Sequence, residues 1–275
     1  MRYILFILIL ILTISCGKSD LEIALDLAGD NAGELRKVLD FYSQKTSDSL
    51  KYRAAVFLIE NMPGHYSLGG KNVEAFYKSV DSLLFKEKLR CKIDSVAMHY
   101  DLPDEAVRLE DVCHVTASFL IQNIERAFEV WPNGGYAHHL TFDQFCEFIL
   151  PYRIGNEPLE FWRDSLKNEY NDIRSHGYSE GWRYSAFHAC CELNNRLRNE
   201  TGVALIPITV FPIEKYSTLK RLPIGDCSYY CSRAMFAMRA KGIPVVEDFT
   251  PQWPYQALGH TWNVLLCNDG NELTF

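Results

Sequence analysis

One segment, Gly225–Val245, constrains the fold of this chain more than any other. It has no proline or glycine between Cys227 and Gly242, which predicts an uninterrupted helix that ends at Gly242. Asp226 or Ser228 can cap the start of this helix. Apolar residues recur at helical spacing, so we expect a core helix. The members of this stripe are Tyr230, Ala234, Ala237 and Met238.

Two cysteines lie one helical turn apart in this segment, and a helix affects them oppositely. Cys227 lies in the first turn, where unpaired backbone N–H groups and the positive end of the helix dipole stabilise a thiolate. Cys231 lies further inside, where apolar neighbours raise the pKa of a thiol. We therefore predict Cys227 as the candidate nucleophile and Cys231 as a packing residue. The alternatives are that Cys227 is a small core residue or that it forms a disulfide with Cys231.

A base for this thiol is predicted on the segment His260–Cys267, where the alternation of apolar and polar residues predicts a strand. His260, Trp262 and Val264 share one side of that strand. If this side covers the helix, His260 approaches the start of the helix, as a Cys-His nucleophilic site requires. The alternative is a structural strand histidine.

Three motifs in this part of the chain resemble the transglutaminase-like superfamily, which has a papain-like Cys-His-Asp site. They are Gly225-Asp226-Cys227, Arg239-Ala240-Lys241-Gly242-Ile243-Pro244 and Gly259-His260-Thr261-Trp262. Gly242 follows Cys227 by fifteen residues, which is the family's spacing. The resemblance covers Ile224–Trp262 well, and the chain from Thr141 onwards more loosely.

The resemblance implies an α+β fold in which a nucleophile helix packs on an antiparallel sheet. It also implies that Cys227 attacks a peptide or amide carbonyl and that His260 shuttles the proton, with hydrolysis or transamidation as the outcome. The backbone N–H of Cys227 would help to hold the oxyanion. A protein or peptide substrate is implied, with no cofactor and no metal.

The family's third site residue is an acid on the strand after the histidine, and we predict no such acid within the chain. An Asn-Asp-Gly turn around Asp269 predicts a hairpin. Pairing about this turn puts Leu266 opposite Leu273, and it puts the partner of His260 about four residues beyond Phe275. Asp269 itself lies in the turn, too far from the histidine. We therefore expect that the core is truncated at its C-terminal end and that a longer protein continues from here.

Residues 1–15 have the pattern of a secretory signal peptide. Arg2 precedes an apolar run, Ile4–Ile14, which is shorter than the ~20 residues that span a bilayer. The small residues before Cys16 resemble the lipobox of bacterial lipoproteins, so we expect Cys16 to be lipidated. The signal resembles those of the Bacteroidetes, which implies a lipid anchor in the cell envelope, at the outer membrane, either periplasmic or surface-exposed. Ordinary cleavage near Ser15 is the alternative.

Hydrophobic periodicity divides the rest of the chain into two regions. Residues 16–132 carry amphipathic helical patterns and no strand pattern, so we predict a helical region in which residues 65–72 form a connecting turn. Turn formers and aromatic residues become dense from residue 133, Thr141 is a predicted helix cap, and strand patterns follow later. We predict an incomplete transglutaminase-like core over residues 133–275.

Charge and cysteine spacing argue against several other classes. The formal net charge is -7, and no block rich in Lys and Arg occurs, so we expect no nucleic-acid partner. The 9 cysteines include no Cys-x-x-Cys pair, which argues against a structural metal site. Arg153 lies near Glu157, and we predict a structural ion pair between them.

Two functions of different class follow from these residues. The first is a cysteine acyl-transfer enzyme with Cys227 and His260 as its catalytic residues. The second is a non-catalytic cell-surface lipoprotein that binds a peptide or a glycan with the same fold. Trp253, Tyr255 and Trp262 are candidates for lining a substrate groove, although an ordinary aromatic loop explains Trp253 and Tyr255 equally well.

Overall fold

The computed structural model describes the chain from Gly17 onwards, with internal gaps. The described ranges are 17–84, 106–132, 134–173, 185–200, 215–221, 225–255 and 259–275. The predicted signal peptide, residues 1–15, and the predicted lipidation site Cys16 lie outside these residues. Among the helices in these ranges, none combines the length and the apolar character needed to cross a membrane.

The described part of the chain has a mixed α+β fold, which confirms the predicted fold class at this level. It is mostly helical in its N-terminal region and carries a small antiparallel sheet toward the C-terminus. The first helices are α1 (Asp20–Leu27), α2 (Ala32–Ser43), α3 (Ser49–Glu60), α4 (Lys71–Leu84), α5 (Asp111–His114) and α6 (Ala117–Glu129). The later helices are α7 (Phe142–Phe148), α8 (Trp162–Lys167), α9 (Ala186–Glu200), α10 (Tyr216–Leu219) and α11 (Cys227–Ala240). The strands are β1 (Tyr66–Gly69), β2 (Val107–Glu110), β3 (Val245–Thr250), β4 (His260–Leu266) and β5 (Glu272–Thr274).

Capping side chains fix where several helices begin. Thr141 caps α7 as predicted, because its hydroxyl accepts a hydrogen bond from Gln144 N at 3.2 Å. Thr141 N donates in return to Gln144 Oε1 at 3.0 Å, which completes a capping box. Ser19 and Glu22 form the same arrangement at α1. These starts are local, so they depend only on neighbouring residues.

The N-terminal region contains strands, so the prediction of a purely helical region is wrong. β1 pairs antiparallel with β2, and Tyr66 lies opposite Glu110. The predicted turn at residues 65–72 therefore contains a strand. A Cβ on Gly69 would lie 2.4 Å from Leu109 Cδ1, so the side chain of Leu109 packs over this glycine. Both strands are short and far apart in sequence, and for that reason no hairpin pattern in the sequence predicts them.

The C-terminal sheet has the strand order β3-β4-β5, and all of its pairs are antiparallel. α11 packs on one side of it, where Val245 of β3 and Leu265 of β4 share a buried cluster with Phe236 and Ala237 of the helix. Gly242 ends the helix with φ 73° and is the residue that turns the chain back toward β3.

The β4–β5 hairpin pairs one residue away from the predicted register. Leu265, and not Leu266, lies opposite Leu273. The prediction assumed a two-residue turn, whereas residues 268–270 form a loop closed by a hydrogen bond between its flanking residues. Gly270 takes φ 84° in this loop, as the last residue of a three-residue hairpin loop commonly does. A shift of one residue exchanges the two sides of a strand.

Buried apolar side chains form two clusters. The first joins α1, α2 and α3 to α5, α6 and α7, extends to Tyr152 and includes Leu266 of β4. The second joins α8, α9, α10 and α11 to β3 and β4. The first cluster therefore continues beyond the end of the predicted helical region at residue 132. The division into residues 16–132 and 133–275 stays a prediction.

A buried ionic network lies around Arg153. Its Nε donates to Asp111 Oδ2 at 2.7 Å, and the hydroxyl of Tyr152 donates to the same carboxylate oxygen at 2.9 Å. The carboxylate of Glu157 lies 3.8 Å from Arg153 Nη1, so the predicted ion pair is confirmed, although Asp111 is the closer partner. This network ties α5 to the segment that leads into α8.

Arg163 of α8 fixes the C-terminal end of α11. Its guanidinium donates to Arg239 O at 3.3 Å, to Asn123 Oδ1 at 2.7 Å and to Pro151 O at 3.1 Å. Burial and the neighbouring charge of Arg239 lower the pKa of Arg163 well below its usual value. A positive group at this end of a helix is favourable for the helix dipole.

Candidate active site

Cys227 is the first residue of α11, as predicted. Asp226 caps the helix, since its Oδ1 accepts hydrogen bonds from Tyr229 N at 3.0 Å and from Ser228 Oγ at 2.7 Å. Gly225 leaves space for the ring of Tyr229, because a Cβ there would lie 2.3 Å from Tyr229 Cδ1. The thiol of Cys227 is free and only half-buried. It is therefore open to a ligand from the solvent side.

The second thiol of this helix has a different environment. Cys231 is buried, and burial raises the pKa of its thiol to about 12, with a further contribution from the carboxylate of Glu247. The prediction that the surroundings raise the pKa of Cys231 is confirmed. A thiol with such a pKa is a poor nucleophile at neutral pH.

Hydrogen bonds fix the direction of β4 relative to α11. At the end of the strand, Leu266 N donates to Pro244 O, just beyond the end of the helix, at 3.0 Å. Nearer its start, Asn263 Nδ2 donates to Cys231 O in the second turn of the helix at 3.4 Å. The helix and the strand thus run in the same direction. The predicted nucleophile and the predicted base, which begin these two elements, lie at the same end of the unit.

The side of β4 that carries His260 is not the side that packs on α11. Asn263 bonds to the helix and Leu265 is buried with it. Because side chains alternate along a strand, His260 and Trp262 belong to the opposite side. The prediction that the side of His260 covers the helix is therefore wrong. In the described part of the chain no hydrogen bond joins Cys227 to His260.

His260 contacts two indole rings. Trp253 stacks on it with ring centroids 5.4 Å apart and an interplanar angle of 26°. The ring centroid of Trp262 lies 5.9 Å from that of His260, with an interplanar angle of 37°. Two of the three predicted groove residues therefore meet at the predicted base. Tyr255, the third, is 99% exposed.

Two polar residues that the sequence motifs do not include, Glu247 and Asn263, lie on the helix-facing side of the sheet. They lie opposite each other in β3 and β4. Glu247 is exposed by its accessible surface, and partial desolvation raises the pKa of its carboxyl to about 6, while the charge of Arg239 lowers it and that of Asp226 raises it. The sequence contained a signal for this position, since Glu247 alternates with the apolar Val245 and strand alternation places both on one side.

No carboxylate forms an ion pair or hydrogen bond with His260 within the described residues. Thr250 lies opposite it on β3. Asp269 lies in the loop after the far end of β4, where hydrogen bonds from Asn271 lower the pKa of its carboxyl. In the observed β4–β5 register the position opposite His260 would fall three residues after Phe275, and not four as predicted.

Comparison with protein-family models, with curated proteins and with solved structures gives no match to this chain. The transglutaminase-like resemblance therefore rests on the three motifs in Gly225–Trp262, and it stays a prediction.

Proposed function

We propose that this chain is a transglutaminase-like cysteine acyl-transfer enzyme that acts on peptide or amide bonds. The thiolate of Cys227 attacks the carbonyl carbon, and a covalent thioester forms as the C–N bond breaks. The proton that left the thiol passes through His260 to the departing amine. Water or a second amine then attacks the thioester, which gives hydrolysis or transamidation and returns the thiol.

The position of Cys227 carries this proposal. It opens a capped helix of 14 residues with a free, half-buried thiol, while Cys231 on the same helix is buried with a raised pKa. A helix start favours the thiolate and offers backbone N–H groups to a developing oxyanion. Asp226 accepts a hydrogen bond from the N–H of Tyr229. The N–H of Cys227 takes no part in this bond and can therefore donate to the oxyanion.

The role of His260 is supported by its position at the same end of the unit as Cys227. The proposal requires the imidazole to turn toward the thiol when substrate binds. Catalytic hydrogen bonds are often long or poorly aligned in a ligand-free site and tighten only in the complex. Residues 251–255, which precede β4, are exposed and leave one face of this region accessible, since Trp253 is 42% exposed.

The proposal extends to location and partners. The protein is held by a lipid at Cys16 in the cell envelope, at the outer membrane, and its partner is a protein or peptide substrate on the periplasmic or outer side. No cofactor, metal or nucleic acid takes part.

Two assays on casein test the enzyme directly: release of peptides, and incorporation of a fluorescent primary amine. We expect at least one of them in the full-length protein, with loss of more than 99% of it in Cys227→Ala and retention in Cys231→Ala. Full activity in Cys227→Ala would overturn the proposal.

A non-catalytic lipoprotein that binds a peptide or glycan is the second candidate. It is favoured by the aromatic contacts of His260, which engage the ring with Trp253 and Trp262 and not with the thiol. In this case Cys227→Ala keeps the binding of the ligand unchanged, and both assays on casein stay at background.

A further inference from the structure

His260 has two described ring contacts, and the one with Trp253 is the closer and more nearly parallel. Its ring centroids are 5.4 Å apart and its interplanar angle is 26°. Trp253 comes from the loop between β3 and β4, and Trp262 comes from β4 itself. The indole of Trp253 covers one face of the imidazole.

The two ends of this loop are held together. Thr250 Oγ1 donates to Gln252 O at 3.0 Å at the start of the loop. At its end, a Cβ on Gly259 would lie 2.6 Å from Thr250 O and 2.9 Å from Pro251 O. The chain therefore returns to β4 in close contact with the point where it left β3. This closure places Trp253 beside His260, the residue after Gly259.

We propose that Trp253 is a positioning residue for His260, which sets the orientation from which the imidazole approaches the Cys227 thiol. The inference rests on the proposed function. The stack favours orientations of the imidazole that keep one face against the indole, and the ring turns toward the thiol from this position. Trp253 itself touches neither the thiol nor the transferred acyl group.

The test is the rate at which iodoacetamide alkylates Cys227 in the full-length protein, measured from pH 4 to pH 9 by mass spectrometry of the cysteine peptide. His260→Gln is expected to slow this reaction at neutral pH. Trp253→Ala is expected to slow it about two- to five-fold, in line with the strength of one aromatic contact. Trp253→Phe, which keeps an aromatic face, is expected to restore the rate.

A matched control is available on α9. Phe187 is 43% exposed, close to the 42% of Trp253, and its ring lies 5.3 Å from that of the neighbouring His188. Phe187→Ala therefore removes an equally exposed aromatic ring beside a histidine, and it should leave the alkylation of Cys227 unchanged.

A second readout is independent of the thiol. The imidazole proton resonances of His260, identified by their loss in His260→Gln, should be shifted upfield by the indole and should move downfield in Trp253→Ala. Unchanged alkylation in Trp253→Ala, with slowed alkylation in His260→Gln, overturns the role of Trp253 and leaves the Cys-His site standing. Unchanged alkylation in His260→Gln overturns that site, and the role of Trp253 with it.

Discussion

The side-chain amide of Asn263 in β4 donates to the carbonyl oxygen of Cys231 in α11 at 3.4 Å, and Asn263 is only 3% exposed. This bond joins the helix that begins with Cys227 to the strand that begins with His260. Together with the bond from Leu266 to Pro244, it fixes the two elements in the same direction. The geometry of the candidate site therefore depends on a buried amide that does not itself belong to the predicted Cys-His site.

Replacing this amide should destabilise the fold. We expect Asn263→Ala to lower the free energy of unfolding by ~1–3 kcal/mol, because a buried hydrogen bond and side-chain packing are lost together. Urea unfolding measures this. Asn271→Ala is a control from the exposed hairpin loop, with an expected change within ~0.5 kcal/mol. Equal stability of the two variants would contradict the structural role of Asn263.

The buried network around Arg153 should be sensitive to loss of its closest carboxylate. Asp111→Ala leaves the guanidinium buried beside only Glu157, so we expect a loss of ~3–5 kcal/mol in the free energy of unfolding. The control is Asp26→Ala, which removes the exposed partner of Lys18 and should cost ~0–1 kcal/mol. If urea unfolding gives Asp111→Ala a cost as small as that of the control, the network does not hold α5 in place.

Glu247 should make stability depend on pH. Its pKa of about 6 in the folded protein lies above the ordinary 4.5, so the folded state binds this proton more tightly. The contribution of this carboxyl to the free energy of unfolding is therefore complete below pH 4.5 and is lost as the pH rises to about 6. Above that pH the free energy of unfolding no longer changes through this group. Glu247→Gln cannot ionise, so its stability relative to the unsubstituted protein should increase over that interval. Urea unfolding of both proteins at pH 4, 5 and 7 measures the difference, and a difference that does not change with pH would contradict the prediction.

Gly259 should tolerate no side chain. A Cβ there would lie 2.6 Å from Thr250 O, so Gly259→Ala forces the loop away from β3 and should cost ~1–3 kcal/mol. Gly33 in α2 has open space around its Cβ position, and Gly33→Ala should stabilise the protein by ~0.4–1 kcal/mol. Thermal unfolding of the two variants should shift in opposite directions. A shift in the same direction would show that the loop is not closed in the way described.

Features encoded by neighbouring residues could be predicted from the sequence. The cap at Thr141 and the start and end of α11 are of this kind, because caps and glycine stops act within one helical turn. The burial of Cys231 could also be predicted from the sequence, because a residue in the second turn of a core helix is buried.

Features that depend on distant partners could not be predicted. β1 and β2 pair across a long stretch of chain, and the partner of Arg153 is Asp111, far away in sequence. The side of β4 that faces the helix was ambiguous because Val264, Leu265 and Leu266 are all buried, so alternation alone could not choose between its two sides.

The rate of alkylation of Cys227 by iodoacetamide at pH 6.5 in the full-length protein tests the central claim most directly. Cys113 is an exposed, free thiol on α5 of the same chain and serves as an internal reference. An activated Cys227 should react at least about ten times faster than Cys113, because the start of a helix and a neighbouring base both favour attack by its sulfur, and His260→Gln should abolish the difference. Alkylation of Cys227 no faster than that of Cys113 would contradict the claim that this helix start carries a nucleophile.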